Sequence, residues 1–386
     1  MTTEEAWQAY LDVAARELTS DSGEAVSCFP HYAQDGRWVR LSVAARSSWD
    51  GDLYEHGNWT AGFWFGVRWL LAHGTGQQEA ADVARVRLPL LAERASDTTT
   101  HDLGFLFYPS FALGHVLGAI GDDAAEPALA AARTLVRRFN PHGAYIQAFG
   151  EIGDPRGAGT STIDTMMNLP LLWWAHKRTG DDVFAQVARA HALTSAHAFV
   201  REDDSTSHLD HFDPQTGALL SRGTFQGAGG DSCWSRGEAW AICGFAWAYA
   251  ATGEPALLAA AERTAAYFWR HLPADGVVPW DFSDGSPDAT RDASAAAIAA
   301  LGALVLAHAH PDSGTRTGYA ERAARLLGDL GAHALERNGR EDGILLHSCY
   351  SKPHGLGVDG ATAWGDFFFG LALALATGRI TFDALR

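Results

Sequence analysis

The sequence has few cysteines, no long apolar run and no basic leader. Its four cysteines, Cys28, Cys233, Cys243 and Cys349, are scattered and contain no CxxC pair, so no disulfide framework is predicted. No window reaches the roughly 20 apolar residues that a transmembrane helix needs. The first residues, MTTEEAWQAYLDVAAREL, are acidic and amphipathic, unlike a secretory signal peptide. We therefore expect a reduced, cytoplasmic protein without a membrane partner.

Positive charge is also scarce. The chain has 29 Lys and Arg against 46 Asp and Glu, a formal net charge of -17. A nucleic-acid-binding protein needs a basic surface, so no nucleic-acid partner is expected. A long polyanion is a poor ligand for the same reason, whereas a short anionic ligand can still bind a local Arg or Lys.

Several kinds of catalytic or ligand-binding motif are missing as well. There is no GxSxG nucleophile elbow, and the cysteines have no evident histidine partner. The Gly-rich GAGGDS (227–232) lacks the Lys-Ser/Thr of a phosphate-binding loop. In HLDHFD, His208, His211 and Asp213 have a loose spacing for metal ligands. No metal and no cofactor is therefore predicted.

What the sequence has in abundance is core material. Of 386 residues, 47% are apolar and 14 are Trp, enough for a large core and for flat aromatic platforms of the kind that bind sugars. No Pro-, Ser- or Gly-rich linker divides the chain. We expect one catalytic domain over residues 1–386, with an N-terminal helix within 1–24.

A recurring pattern indicates the architecture. Apolar helical runs end at short turns suited to a left-handed glycine, and Ala-rich amphipathic helices follow. The turns lie at Thr75-Gly76, Gly121, Thr179-Gly180, Thr252-Gly253, Gly314 and Thr377-Gly378. Six such helical hairpins predict an all-α (α/α)6 barrel, a six-hairpin toroid. An open helical solenoid is the alternative, but it would leave an aromatic face exposed to water.

Six lead-in segments precede the six apolar helices of this pattern. They are NWTAGFW (58–64), HDLGF (101–105), IDTMMN (163–168), CWSRGEAW (233–240), TRDASAAA (290–297) and ATAWGDFF (361–368). In a closed toroid these segments converge at one end of the barrel, where six positive helix-dipole ends favour an anionic ligand. The functional site is predicted there.

Two aspartates in these segments need an explanation. Asp164 could cap a helix, but Pro170 fits best in a first turn, so Asn168 is the better-placed cap. Capping is also the alternative for Asp102. Two acids at equivalent positions suggest a facing pair, in which one has a raised pKa and donates a proton while the other stays ionised.

Motifs along residues 25 to 380 resemble, in order, those of the unsaturated glucuronyl hydrolases, glycoside hydrolase family 88. They are NWTAGFWFG, HDLGF, DTMMNLPLLWWA, QG followed by CWSRGEAWAICGFA, VPWDF, RDASAAAIAA and DGILLHS. The resemblance implies the same six-hairpin toroid. It also implies removal of a 4,5-unsaturated uronic acid from the non-reducing end of small oligosaccharides left by polysaccharide lyases, through hydration of the C4=C5 enol ether.

The resemblance also implies roles for particular residues. Asp164 stands at the acid/base position, and Asp102 at the second essential carboxylate, which binds sugar hydroxyls and keeps Asp164 protonated. Arg236 is the expected anchor for an anionic group, because its planar fork matches a carboxylate. Its alternative is a buried structural role paired with Glu238 or Asp231. The other residues expected to contact substrate are Trp59, His101, Phe149, His208, Gln226, Trp234, Trp240 and Trp364.

For these residues a structural role remains open: core packing for Trp59 and Trp240, and a solvated loop for His208. Three positions also depart from the family pattern. Phe149 stands where a Trp usually stacks on the aglycone, which we expect to change the preference for that sugar. Glu238 replaces a usual Gln and is expected to add a negative charge beside Arg236. SCYSK (348–352) resembles, with altered spacing, a Ser/Lys patch that reads sulfate in some members.

Other activities fit the same architecture. One is an unsaturated rhamnogalacturonyl hydrolase, but HDLGF with His208 and Arg236 favours family 88. A polysaccharide lyase would need a Tyr or His base and a basic groove, which the net acidity disfavours. The last alternative is a non-catalytic sugar-binding protein, which would gain little from two like charges at Asp102 and Asp164.

Overall fold

The protein was studied as a computed structural model, which describes residues 1–20 and 25–386. Helices dominate the fold. In chain order they are α1 (Thr3–Ser20), α2 (Ala61–Thr75), α3 (Gln78–Ala92), α4 (Leu103–Phe107), α5 (Leu113–Val116), α6 (Glu126–Val136), α7 (Leu169–Thr179), α8 (Asp182–Ala198), α9 (Ser235–Thr252), α10 (Pro255–Arg270), α11 (Ala293–Ala309), α12 (Ser313–His333), α13 (Ala363–Ala376) and α14 (Phe382–Leu385). A π-helical turn at Tyr108–Ala112 joins α4 to α5.

The predicted all-α (α/α)6 barrel is confirmed. Its inner ring consists of α2, the α4–α5 segment, α7, α9, α11 and α13, and it closes because α13 packs against α2. These inner helices are apolar nearly all round, and most of their residues are buried. A helix with that composition must be covered on every side, which the outer ring of α3, α6, α8, α10 and α12 provides.

The sixth outer position is filled from the other end of the chain. After the turn at Gly378, the residues that the structure describes contain only the short α14, and α1 packs against α2, α12 and α13. Trp7 and Tyr10 are buried, and the Tyr10 ring meets Phe369 of α13 edge to face. The N-terminal helix thus completes the outer ring.

Four of the six predicted glycine turns have the expected geometry. Gly76, Gly180 and Gly253 end their helices at φ of 73°, 71° and 71°, and Gly378 has φ of 71° just past α13. The left-handed region is where a glycine is needed to end a helix. The threonine before each glycine also returns its hydroxyl to the carbonyl four residues earlier.

The other two turns are built differently. The left-handed glycine of the second hairpin is Gly118 at φ of 69°, not Gly121. Gly314 lies inside the first turn of α12, where Asp312 caps the helix by accepting from the Thr315 amide at 2.7 Å. An Asp cap replaces the glycine in that loop.

Short β-strands lie at the end of the barrel where the lead-in segments are found. They are β1 (Cys28–Gln34), β2 (Arg37–Ser42), β3 (Ser48–Asp50), β4 (Leu53–Glu55), β5 (Phe139–Asn140), β6 (Tyr145–Ile146), β7 (Thr160–Thr162), β8 (Leu209–Phe212), β9 (Leu219–Gly223), β10 (Ser348–Ser351) and β11 (Leu356–Gly360). The antiparallel pairs are β1–β2, β3–β4, β5–β6 and β10–β11, and β7–β8–β9 form a three-stranded sheet. Across the parts of the chain that the structure describes, no helix combines the length and apolarity needed to span a bilayer.

Candidate active site

The lead-in segments meet around a narrow inner pocket that opens into a wider outer cleft. Side chains from four lead-in segments line the inner pocket, among them Trp59, Asp102, Asp164, Arg236 and Trp240. The outer cleft has a volume of about 750 Å³, with walls from β3–β4, β7–β8, β10–β11 and the loops beside them. This size is typical of a ligand site.

Two contacts bring the segments of Asp102 and Asp164 together. Gly104 lies against the backbone of Asn168 so closely that a Cβ there would overlap it, which explains the glycine in HDLGF. The Asn168 side chain accepts a hydrogen bond from the Phe105 amide at 2.8 Å. The helix α7 begins at Leu169 with Pro170 in its first turn, as predicted, but the Asn168 side chain makes no cap bond; it clamps α4 instead.

Neither aspartate caps a helix. Asp164 lies within a 3₁₀ turn (Ile163–Met167) and Asp102 directly precedes α4, and neither segment has a side-chain cap bond. Asp102 accepts from the Thr100 hydroxyl at 2.8 Å. Helix capping therefore does not explain the presence of either carboxylate.

One histidine nitrogen joins the two acids. The Nε2 atom of His101 lies 2.9 Å from Asp164 Oδ2 and 3.2 Å from Asp102 Oδ1. The other ring nitrogen, Nδ1, lies 2.8 Å from the Ala148 carbonyl oxygen. The structure thus brings the two aspartates together in one pocket, with His101 between them.

The electrostatics of this trio differ from expectation. Burial alone would raise the pKa of Asp164, but the hydrogen bond and charge of His101 lower it to about 2. Burial alone would lower the pKa of His101, but the charge of Asp102 and the bond to Asp164 raise it to about 9. Burial raises the pKa of Asp102. These shifts favour an ionised Asp164 beside a protonated His101 in the ligand-free protein. That Asp102 keeps Asp164 protonated stays a prediction.

His208 is buried rather than solvated. Its Nδ1 atom pairs with the Thr224 hydroxyl at 2.9 Å, while Nε2 is buried without a partner. Its ring lies between Phe225 and Trp234, with both ring centroids at 4.3 Å. Burial lowers the pKa of His208 to about 3, so this is a neutral imidazole with a free nitrogen beside the acids.

Arg236 lines the inner pocket but is largely engaged by the protein. It pairs with Asp292, not with the expected Glu238 or Asp231. It also donates to the carbonyl oxygens of Cys349 at 2.5 Å and Tyr350 at 2.7 Å. These bonds occupy three of the five N–H groups of a guanidinium, so the remaining donors are available to a ligand.

The expected substrate-contacting residues divide into two groups. Gln226 lines both cavities and donates to the Tyr350 carbonyl at 3.0 Å. Trp59, Trp234, Trp240 and Phe149 also line the inner pocket. Trp364 does not: its side chain is completely buried, stacked behind Trp59 with ring centroids 4.9 Å apart. The prediction that Trp364 contacts substrate is wrong, because the Trp59 ring covers it.

Two of the departures from the family pattern also look different in the structure. Burial raises the pKa of Glu238 to about 8, and its carboxyl accepts from Thr206 at 2.9 Å and Cys233 at 3.3 Å. It adds no charge beside Arg236 at neutral pH. In the SCYSK segment, Ser351 lines the outer cleft, but Lys352 is exposed and lies outside its lining.

Sequence reasoning missed four residues that line the inner pocket. They are His56, Phe105, Phe225 and Tyr350. His56 connects the pocket to the outer cleft, and burial lowers its pKa to about 4. Only Phe105 had a usable sequence signal, since it lies one helical turn after Asp102; the others come from loops and strand ends whose paths no periodicity reveals.

Among the described residues, the one group of three possible metal ligands is His101, Asp102 and Asp164. A proton on His101 Nε2 accounts for their short contacts, so we assign no metal to them.

An (α/α)6 barrel with two carboxylates, neutral histidines and tryptophan platforms around one pocket defines a carbohydrate-active enzyme.

Comparison with known proteins identifies the kind of enzyme. The unsaturated glucuronyl hydrolase of Bacillus sp. (strain GL1) is 38% identical over 323 residues, which cover 82% of this chain and 85% of that protein. The unsaturated chondroitin disaccharide hydrolase of Streptococcus pneumoniae (strain ATCC BAA-255 / R6) is 33% identical, covering 82% and 81%. The chain belongs to the unsaturated glucuronyl hydrolases. No family model matches it.

Solved structures agree with this assignment. The crystal structure of the Bacillus sp. GL1 unsaturated glucuronyl hydrolase superposes with a TM-score of 0.84 at 34% identity, covering 97% of this chain and 96% of that one. An unsaturated glucuronyl hydrolase specific for heparin gives a TM-score of 0.85 at 26% identity, covering 98% and 99%. The predicted family and its hydrolase class are confirmed.

Proposed function

We propose that this chain removes a 4,5-unsaturated uronic acid from the non-reducing end of a small oligosaccharide, with Asp164 as the general acid and base. The observation that supports the proposal is the pairing of Asp164 and Asp102 through His101 at the base of an aromatic pocket. General acid–base help of this kind contributes about 10²- to 10⁴-fold in rate.

The reaction is the hydration of an enol ether. Asp164, protonated in the complex, gives its proton to C4, and the C4=C5 electron pair forms the new C–H bond. The positive charge at C5 is shared with the ring oxygen. Water then adds at C5 and returns a proton to Asp164. The resulting hemiketal opens and rearranges, releasing the aglycone.

The surrounding groups bind and orient the sugar. We assign the uronate carboxylate to the free donors of Arg236 and to Gln226. His208 Nε2, a buried acceptor or donor without a protein partner, hydrogen-bonds a substrate oxygen. Trp59 presents an aromatic face to the ring, and Trp240, which is 1% exposed, supports the wall of the pocket from behind. Asp102 accepts hydrogen bonds from sugar hydroxyls.

The outer cleft is suited to an uncharged, unsulfated aglycone. Among the residues that the structure describes, Arg156 is the one Arg or Lys lining it, and its guanidinium already pairs with Asp154 at 2.6 and 3.0 Å. Asp52 adds a negative charge, and Lys352 lies outside the lining. The aromatic stack of Phe149 on Tyr54, with ring centroids 4.6 Å apart, offers a platform for the first aglycone sugar.

Two further features belong to the same proposal. We take the whole chain as one catalytic domain. All four cysteines are free, and three of them are buried, which suits a reducing compartment such as the cytoplasm. Locating the tagged protein by cell fractionation tests that assignment.

The function is tested with unsaturated disaccharides made by lyases from several polysaccharides, following the loss of the C4=C5 ultraviolet absorbance. We expect turnover of at least one disaccharide and no turnover by Asp164→Asn, with an unchanged circular dichroism spectrum. Asp82→Asn, on the exposed face of α3 and outside both cavities, is the matched control. In pairs that differ by one sulfate, the unsulfated member should have at least about tenfold higher kcat/KM, since an unpaired sulfate in a cleft that contains Asp52 costs about 1.4 kcal/mol or more. Retained activity in Asp164→Asn would place the acid elsewhere.

A further inference from the structure

His101 has its two ring nitrogens directed at oxygen acceptors. The Ala148 carbonyl, 2.8 Å from Nδ1, can only accept, so Nδ1 carries a hydrogen. Nε2 faces Asp164 at 2.9 Å and Asp102 at 3.2 Å, which also accept when ionised. One hydrogen therefore lies between Nε2 and the two acids, and when both acids are ionised it is on Nε2, which makes His101 an imidazolium. Burial lowers the pKa of His101, but the charge of Asp102 and the hydrogen bond to Asp164 raise it to about 9, which favours this form in the ligand-free protein.

The groups around His101 are consistent with that charge. His56, His191 and His208 interact electrostatically with it and are kept neutral by burial, which lowers their pKa values to about 4, 3 and 3. Arg138, a cation, shares the Ala148 carbonyl with His101, at 3.0 Å from Nη2.

Two uncharged groups complete these surroundings. The Thr162 hydroxyl lies 3.5 Å from Nε2, and the Tyr54 hydroxyl donates to the Thr99 carbonyl at 2.8 Å. The two carboxylates therefore determine the protonation of His101, and an ionised Asp164 next to an imidazolium is an acid that has lost its proton to its neighbour.

We infer that His101 is a positioning residue that stores, on Nε2, the proton that Asp164 delivers to the substrate. The inference rests on the proposed function and deepens it. It assigns to His101 a role different from the substrate contact expected from the sequence, and it accounts for the presence of the proton next to Asp164 rather than on it.

The proton moves along a short path. When substrate fills the pocket, the Nε2–H bond breaks and an O–H bond forms at Asp164 Oδ2, so that imidazolium and carboxylate become a neutral pair. Asp164 then protonates C4, takes a proton from the water that adds at C5, and returns it to Nε2 as product leaves. The cycle consumes no net proton.

Substrate binding supplies the reason for the transfer. The side chain of Asp164 is 16% exposed in the ligand-free protein, and water there stabilises the ion pair. A sugar ring that covers it removes this water, and an ion pair is destabilised relative to its neutral form when it loses solvent. Asp164 is therefore protonated, and able to donate, only when substrate is bound.

The decisive experiment is ¹⁵N NMR of the histidine rings in the wild-type protein. The His101 signals are assigned by comparison with His101→Gln. We expect both nitrogens to carry hydrogen at pH 7 without ligand, and Nε2 to lose its hydrogen when the saturated glucuronyl disaccharide, which has no C4=C5 bond to react, is bound. A ring that is neutral without ligand, or Nε2 still protonated in the complex, overturns the inference.

Kinetics of His101→Gln give a second readout. The amide of Gln can donate to the carboxylates but cannot store a proton. We expect kcat to fall about 10²-fold or more, with KM changed less than about threefold. The wild-type kcat/KM should fall as pH rises through about 9, where His101 loses its proton, and in the variant this limb should move to lower pH, because Asp164 must then hold the proton itself.

A His101→Gln enzyme that keeps the basic limb near pH 9, or most of its kcat, contradicts the storage role. If the variant does not fold, the NMR measurement on the wild type still decides. The proposed function is judged separately, by Asp164→Asn and the disaccharide panel, and it survives if His101 proves to be only a structural contact.

Discussion

Arg236 and Asp292 form a buried ion pair that ties the fourth lead-in segment to the fifth. Their side chains are 1% and 0% exposed, and Asp292 also caps α11 by accepting from the Ser294 amide at 3.2 Å. Because the Arg236 guanidinium faces the inner pocket, this ion pair fixes the position of the cation that we assign to the uronate. The same ion pair therefore contributes to the stability of the fold and to substrate binding.

Asp292→Asn should therefore lower both the stability of the fold and the affinity for substrate. Removing one partner of a buried ion pair costs about 3–5 kcal/mol, and we expect a fall of this order in the free energy of unfolding by urea, with a raised KM. The control is Asp82→Asn, which breaks the exposed Arg85–Asp82 pair and should cost less than about 1 kcal/mol. Similar losses in the two variants would mean that Arg236 is not held by Asp292.

Asp102→Asn tests the second carboxylate. The variant keeps the shape of the side chain but removes a charge 3.2 Å from His101 Nε2. We expect kcat to fall about 10²-fold or more, because the proton on His101 loses one of its two stabilising anions. Steady-state kinetics that show a raised KM and an unchanged kcat would reduce Asp102 to a binding residue.

Phe149→Trp should change the preference for the aglycone. Phe149 stacks on Tyr54 and lines both cavities, and aromatic contacts of this kind contribute about 0.5–1.5 kcal/mol. We expect relative kcat/KM values across a panel of unsaturated disaccharides to shift by about 2- to 10-fold. Tyr54→Phe, which keeps the ring stack, serves as the control. An unchanged ranking would show that the first aglycone sugar lies elsewhere.

Trp364→Phe tests the correction made for that residue. It loses a hydrogen bond of 3.0 Å from its Nε1 to Ser294 and part of a buried ring, for which we expect a loss of about 1–3 kcal/mol in unfolding free energy. KM should change less than about twofold. Trp59→Phe should show the opposite pattern, and a large KM effect at Trp364 would mean that substrate reaches behind Trp59.

Glu238→Gln should change how stability depends on pH. The pKa of Glu238 is raised to about 8, so the folded state binds a proton that the unfolded state releases between about pH 4.5 and 8. Wild-type stability therefore falls as pH rises through this window and levels off above it.

Gln resembles the protonated acid, so the variant should match the wild type near pH 5 and exceed it by a few kcal/mol near pH 8.5. Urea unfolding at the two pH values measures the difference. Asp210, whose burial raises its pKa to about 7, contributes equally to both proteins. Parallel pH dependences would show that Glu238 is ionised in the fold.

The architecture could be predicted because helix length, apolar period and Thr-Gly turns are local properties. The α7 start at Leu169 followed from Pro170, and the convergence of the lead-in segments followed from closure of the ring. The Asp312 cap at the fifth turn replaced a glycine because either residue can end a loop between two helices.

The site was predicted less completely, because side-chain partners depend on distant segments. Arg236 pairs with Asp292, 56 residues away, and no spacing rule selects it over the nearer Glu238. The proton on His101 could not be anticipated either, since its location depends on the Ala148 carbonyl, 47 residues away in sequence. Trp59 and Trp364 look alike in sequence, and only packing shows which ring faces the pocket.

The packing of α1 on α13 limits when the N-terminal helix can dock during synthesis of the chain. Tyr10 packs on Phe369, and Gly370 lies against the same ring so closely that a Cβ there would overlap it. The helix α1 is synthesised before α13, so its docking surface on α13 emerges only after α2 to α12 have been made. Trp7 can pack against Gly74 of α2 early, but the Tyr10 face of α1 must stay uncovered through that interval, which exposes the nascent chain to chaperones and to aggregation until α13 docks.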